Sequence, residues 1–317
     1  MQRGTARPQG WSLSSESQRR SAFALALLTA ILWGVLPLAL RVLLPAMDTC
    51  TITWYRFGSA AIVVGLFLAS RSAIPNPLRL QGKLRLLLLV AVVGLTINYT
   101  LFVLGVQLTT PAIAQVVTQL SSLFLLFGGL LIFRERFVRL QWAGLALLLA
   151  GLLLFFNHRL PEIFNRDSHL GLGVLLLVFG SLAWASYGLS QKRLLRDYSS
   201  AQILWLLYVG GFVLLLPMVH PASLLHLDRA QAWALVFCCF NTLVAYGAYA
   251  RAMALGEVTR VSATVTTSPL FALLGSALAA VWVPGFAAPD SPNLLSILGA
   301  CGVVAGSALC ALASARS

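Results

Sequence analysis

Ten times along this 317-residue chain, a run of about 20 residues passes with at most one charge inside it. The runs are roughly 22–44, 51–70, 86–106, 110–133, 140–157, 170–191, 201–219, 231–254, 259–283 and 294–313. A bilayer core about 30 Å thick is crossed by about 20 apolar residues in a helix. In lipid every backbone N–H and C=O must find its partner inside the protein, so only helices and closed barrels span. Barrel strands alternate apolar with polar residues, and runs such as Leu84–Val93 and Leu145–Phe156 do not. The chain therefore reads as an all-α integral membrane protein with ten transmembrane helices. Its composition, 59% hydrophobic and 10% charged, excludes both an ordinary soluble domain and a disordered chain.

The first run is too long for the apolar segment of a signal peptide, and no small-residue cleavage site ends it. It reads as a retained helix preceded by a disordered tail over 1–21. The net charge of +13 would alone point to nucleic acid or an anionic surface, and placement decides. With an even number of spans both termini share a face. Seventeen of the 22 basic residues fall on that face, three on the other, and Arg41 and Arg56 lie in or near spans. By the positive-inside rule both termini are cytoplasmic. No compact basic domain remains to hold nucleic acid. The five cysteines are odd in number and match no zinc spacing, so they read as small buried hydrophobes.

The chain repeats itself. A shift of 151 sets Trp33 on Trp184, Arg41 on Lys192 and Trp54 on Trp205. A shift of 147 sets Tyr99 on Tyr246, Phe102 on Tyr249, Ser121 on Ser268 and Gly128 on Gly275. A shift of 155 sets Gly144 on Gly299 and Gly151 on Gly306. The shift changes only at loops, where insertions are tolerated. The domains implied are a five-helix repeat over 22–157, an extracytoplasmic connection over 158–169, a second repeat over 170–313, and a short tail over 314–317. Five is odd, so the second repeat enters the membrane from the opposite face. Such inverted repeats recur in secondary transporters, with the substrate near the midplane between the halves.

Several motifs carry a family resemblance: Leu32-Trp33-Gly34 in the first span, Trp54-Tyr55-Arg56-Phe57 in the second, Thr110-Pro111-Ala112-x-Ala114 opening the fourth, Arg134-Glu135 closing it, and Gln141-x-x-Gly144 in the fifth. In this order they resemble EamA-type transporters of the drug/metabolite transporter superfamily, over residues 22–313. The resemblance implies ten helices, cytoplasmic termini and a central cavity lined by spans 1, 3, 4, 6, 8 and 9. Members move amino acids, other metabolites, nucleotide sugars or phosphorylated sugars. The second half departs from the pattern: Trp282 stands where Glu135 would repeat, followed by Pro284, Pro289 and Pro292.

No nucleotide-binding, metalloprotease or serine-hydrolase motif occurs, and neither a cofactor nor a metal site is expected. All nine Asp and Glu lie at span ends, in loops or in tails. This argues against exchange of protons for hydrophobic cations, which commonly needs a mid-membrane carboxylate. Arg41 and Arg56 lie toward outer helix ends and read either as charges steering an anionic or zwitterionic substrate or as interface anchors, with Asp48 a candidate loop partner. Lys192 would act at the cytoplasmic mouth. The mid-span polar and aromatic residues Asn98, Gln115, Gln119, Tyr246 and Thr267, with Trp33, Trp184 and Tyr187, are the candidates for substrate binding. Their other reading is interhelical packing and hydrogen bonding.

Pro37 and Pro269 each delete a helix hydrogen bond and are candidate hinges. Gly144, Gly151, Gly299, Gly302 and Gly306 permit close helix approach, either within the chain or at a homodimer seam. The histidines all fall in predicted outer loops. The expected function is transport of a small metabolite across a bacterial-type inner membrane by alternating access, through efflux or exchange. The alternative is a membrane-embedded enzyme or lipid scramblase. Topology has a direct test. In a cysteine-free background, cysteines at Asn165 and Asp290 should react with an impermeant maleimide added outside intact cells. Protection at both would reverse the orientation.

Overall fold

A computed structural model of the protein describes residues 16–76, 82–133, 138–165, 168–282 and 293–313. Among these every regular element is helical: α1 (Glu16–Leu43), α2 (Thr49–Ser70), α3 (Gly82–Leu108), α4 (Pro111–Val117), α5 (Leu120–Phe133), α6 (Arg139–Phe155), α7 (Leu160–Ile163), α8 (His169–Leu194), α9 (Ser200–Leu215), α10 (Arg229–Leu255), α11 (Val258–Val265), α12 (Ser268–Trp282) and α13 (Leu294–Ala313). Nine segments of the described residues are long and apolar enough to cross a bilayer, with α4–α5 and α11–α12 each forming one of them. Helix α6 is apolar but shorter, at 17 residues.

Polar residues start these helices where the chain leaves the apolar runs. Asp48 accepts the Thr51 amide at the head of α2, and Ser199 and Asp228 do the same for Gln202 and Gln231 in α9 and α10. Residues 16–21, expected as part of the tail, are the first turns of α1, where Arg20 pairs with Glu16 one turn away. The rest of that tail, the 314–317 tail, Arg134-Glu135 and Asp290 lie outside the described residues.

Two of the expected spans are broken. Between α4 and α5, and again between α11 and α12, the ladder tightens to i→i−3 bonds: Gln119 N to Val116 O, and Thr267 N to Thr264 O. Hydroxyls take up carbonyls at the breaks. Thr118 donates to Gln115 O at 3.0 Å, Thr266 to Ala263 O at 2.8 Å and Thr267 to Thr264 O at 2.6 Å. Such side-chain bonds make a break tolerable at membrane depth. Pro269 sits in the first turn of α12, just past the second break, where a missing N–H costs little. It is therefore not the mid-helix hinge expected from its place in the run. Pro37 is buried inside α1 as expected.

The main helix contacts run between the two halves of the chain: α6 along α13, α3 along α8, α1 along α10 and α2 along α9. Trp54 of α2 stacks on Phe212 of α9, ring centroids 4.4 Å apart, and Trp205 of α9 lies over Gly65 of α2. The α6–α13 seam is glycine on glycine. A Cβ on Gly144 would lie 2.9 Å from Gly306 O, and one on Gly151 would lie 2.8 Å from Gly299 O and 2.5 Å from Val303 N. These glycine faces are consumed inside the chain, so the reading of them as a homodimer seam loses its basis.

One end of the bundle is plugged. Leu40, Leu43, Met47, Ile52, Val106 and Leu235 belong to a single buried cluster where α1 ends, α2 and α10 begin and α3 ends. A polar clamp lies over it. The Thr51 hydroxyl donates to Asp48 at 2.6 Å and accepts the His220 amide at 2.8 Å, and Tyr55 donates to Pro221 O at 2.9 Å. Partial burial works to raise the Asp48 carboxyl, but hydrogen bonds from the Thr51 side chain and amide and from His220 outweigh it and hold it below its ordinary value. The clamp is thus complete near neutrality and is lost as pH falls through that lowered value.

The glycine seam makes a stability prediction. Gly151→Val should cost about 1–3 kcal/mol through overpacking, read as a lower melting temperature of the detergent-solubilised protein. Gly247→Ala, where a Cβ meets nothing within 4 Å, should show no loss.

Candidate functional site

Below the apolar plug the bundle encloses a cavity of about 410 Å³. Its wall extends from Trp33 and Leu36 in mid-α1 down to Gly129 of α5, Lys192 in the last turn of α8, and Cys310 and Ala311 at the end of α13. It therefore reaches the end of the bundle opposite the plug. Among the described wall residues there is no Asp, Glu or His, and the cations are Arg56 and Lys192.

Of the residues expected to bind substrate, Trp33, Asn98, Gln115, Gln119, Trp184 and Tyr246 lie in this wall. Tyr187 does not. It is 4% exposed and packs in the apolar cluster behind Trp184, ring centroids 6.2 Å apart. Thr267 does not either, because its hydroxyl is turned onto Thr264 O at the helix break, while Thr266 and Ser268 on either side reach the cavity. Trp33 meets Tyr246 edge-on at 5.3 Å and Tyr249 at 5.7 Å, and these rings form one apolar wall.

The polar wall residues divide into two kinds. Pro37 has no N–H, so the Trp33 carbonyl one turn earlier loses its helix partner. The Gln115 side chain supplies the missing donor, its Nε2 lying 2.7 Å from Trp33 O, while its Oε1 accepts from Ser268 at 3.3 Å. Asn241 of α10 donates to the neighbouring Leu32 carbonyl. Asn98 donates to Gly180 O at 3.0 Å, tying α3 to α8. These amides hold backbone. Gln119 differs: it is 7% exposed, lines the cavity, and its amide makes no hydrogen bond with the described residues. Gln119 is thus the wall amide whose side chain is not occupied with backbone.

The arginines also separate. Arg41 is absent from the cavity wall, and its guanidinium donates to Gln107 O at 3.2 Å. It thereby satisfies a free carbonyl in the last turn of α3. Arg56, expected near an outer helix end, is 2% exposed inside the protein. It lines the cavity, with Nε donating to Thr242 at 2.9 Å and the guanidinium 4.5 Å from the centre of the Tyr99 ring. Asp48 partners neither arginine, being held by Thr51 and His220. Lys192, in the last turn of α8, is in the wall. The sequence reading did not reach Leu36, Phe102, Gly129 or Cys310, since apolar and small residues in an apolar run carry no signal of the face they turn inward.

Positions that coincide under the internal shifts face the cavity together. Trp33 and Trp184, Tyr99 and Tyr246, Phe102 and Tyr249, Gln119 and Thr266, and Ser121 and Ser268 all line it. Tyr99 and Tyr246 stack on each other at 6.3 Å.

The model of the EamA-like transporter family matches residues 20–157 and again 171–312. A transporter of Haemophilus influenzae, named as uncharacterized, is 39% identical over 92% of this chain and 94% of its own. The inner membrane transporter YhbE of Escherichia coli K12, also named as uncharacterized, is 43% identical over 89% of this chain and 88% of its own. A protein of the same strain named as a probable amino-acid metabolite efflux pump is 25% identical over 80% of this chain and 85% of its own. A solved crystal structure shares the fold, with a TM-score of 0.63 at 21% identity over 94% of this chain and 99% of its own. With the family model covering both halves and two relatives near 40% identity along most of the chain, this integral membrane protein belongs to the EamA-like transporter family.

Proposed function

We propose that the protein is a secondary transporter. It moves a small polar or amphipathic metabolite, amino-acid-like and anionic or zwitterionic, across a bacterial-type inner membrane by alternating access, as efflux or exchange. The observation that carries this reading is the cavity, walled by matching positions of both halves, plugged at one end and reaching the other. Its volume of about 410 Å³ lies in the range of small-molecule sites. Its aromatic wall suits an apolar body, and its cations suit an acidic group.

The ten-helix inverted repeat belongs to the same proposal, with α6 as the remaining span. Under the shift of 147, α3 maps onto α10 end to end, and the break between α4 and α5 falls within one residue of the break between α11 and α12. The contacts between halves mirror as well. Thr29 of α1 donates to Ala245 O of α10, and at the equivalent crossing Asn98 of α3 donates to Gly180 O of α8. The name of the efflux-pump relative favours amino-acid metabolites as substrates. A membrane-embedded hydrolase, one form of the competing reading, commonly uses a carboxylate or histidine as its acid or base, and the described wall carries no Asp, Glu or His.

Counterflow into proteoliposomes, with solutes chosen by metabolite profiling of cells lacking or overproducing the protein, tests this reading. Gln119→Leu and Trp33→Ala should abolish counterflow with the melting temperature unchanged for Gln119→Leu. Gln115→Leu should lower the melting temperature, since an unpaired buried carbonyl costs about 1–3 kcal/mol. Full counterflow with Gln119→Leu would remove that residue from the site. No counterflow by the wild type with any profiled solute would sink the transporter reading.

A further inference from the structure

We propose that Arg56 is the subsite for the carboxylate of the transported molecule. The inference rests on the transporter reading and adds the chemical group recognised and the side chain that takes it.

A buried guanidinium without an anion is costly, because its charge has left water and nothing of opposite sign repays the loss. Arg56 is in that position. It is 2% exposed, and no carboxylate of the described residues pairs with it. Of its five N–H donors, the one on Nε finds an acceptor, Thr242 Oγ1. Nη1 is buried with no partner. The guanidinium lies over the Tyr99 ring, so one face is covered, while Nη2 is bonded to none of the described residues and is not enclosed as Nη1 is. The residue forms part of the cavity wall. A carboxylate in the cavity supplies what is missing: charge of opposite sign and two acceptors matched to the fork.

The scaffold does not need this charge. The shift of 151 that sets Trp54 on Trp205 sets Arg56 on Leu207, and the shift of 147 that sets Tyr99 on Tyr246 sets Leu95 on Thr242. Leu95 and Leu207 are both fully buried in one apolar cluster. The equivalent place, also shared between the two halves, is thus packed with two leucines. An arginine in the cavity wall, bonded to a fully buried threonine where leucines would serve for packing, points to a ligand.

The geometry selects a carboxylate over a phosphate. The wall's other cation, Lys192, lies twelve residues along α8 from Gly180, to which Asn98, the neighbour of Tyr99, is bonded. At about 1.5 Å per residue that is about 18 Å, too far to share one phosphate with Arg56. A single guanidinium matches a single negative charge. Trp33, Tyr246 and Tyr249 then take the apolar body of the molecule.

The test measures ligand-induced melting shifts of the purified full chain. The probes are L-phenylalanine, L-leucine, L-threonine and 3-phenylpropionate, each beside its primary amide, and inorganic phosphate. The wild type should be stabilised by at least one acid and not by its amide or by phosphate. Arg56→Leu should weaken that acid at least tenfold. Arg56→Leu combined with Thr242→Leu, which copies the Leu207–Leu95 pair, should do the same and guards against a folding defect. Arg56→Lys, which keeps the charge and loses the fork, should fall between. The proposal is overturned if no acid outperforms its amide, if phosphate binds through Arg56 instead, or if a folded leucine variant keeps acid affinity within twofold. Acid binding lost on removing Arg56, with no counterflow by the wild type, would uphold the subsite while refuting transport.

Discussion

The constraint on which everything else depends is the absence of water in a bilayer core, which leaves each backbone N–H and C=O to be satisfied by the protein itself. A chain built only of unbroken helices would meet it and offer nothing to a polar ligand. This chain interrupts its helices where the cavity lies and repairs each interruption locally. Pro37 releases the Trp33 carbonyl and Gln115 takes it. Thr118, Thr266 and Thr267 take carbonyls at the two breaks. Many mid-membrane polar side chains are therefore occupied with backbone, whereas Gln119 and Arg56, both in the cavity wall, hold none.

The matched positions explain how such a cavity is built economically. Trp33 with Trp184 and Tyr99 with Tyr246 bring the same ring types from both halves to one cavity. Glycine pairs at the α6–α13 seam and tryptophans across the α2–α9 seam hold the two halves together on the outside. The departures from symmetry are as informative. Under the same shifts Arg56 falls on Leu207 and Thr242 on Leu95, so the polarity of the cavity is one-sided. The plug and the Asp48–Thr51–His220 clamp close one end, and the wall residues lead to the other. In the proposed cycle this is one of two end states.

Much of the framework was legible in the residues alone. Apolar runs of membrane-spanning length located the helices, because in lipid length and hydropathy leave little choice. Trp, Tyr and Gly recurring at constant shifts exposed the internal repeat and drew Trp33, Trp184 and Tyr246 out of an otherwise uniform background. Polar residues inside apolar runs marked Asn98, Gln115 and Gln119 as facing protein or cavity. The sequence could not say which of these would bind backbone and which would stay free, since that depends on the helix each one meets. Gln115 and Gln119 are one turn apart and chemically identical, and only the first lies against a carbonyl left open by a proline.

By itself, then, the sequence determined the helical membrane architecture, the internal repeat and a short set of candidate residues, because hydropathy and spacing are local properties. The tertiary structure alone decided the fate of the charges and the glycines. Arg41 and Arg56 look alike in a linear reading, each a cation toward a helix end, yet one meets a helix carbonyl and the other is enclosed between Thr242 and Tyr99. The glycines of α6 and α13 fit either a dimer seam or an internal one until the two helices are found against each other. The physical reason is the same in each case: the energy of a buried polar or small group is set by what it meets across the interface, and that neighbour is distant in the chain.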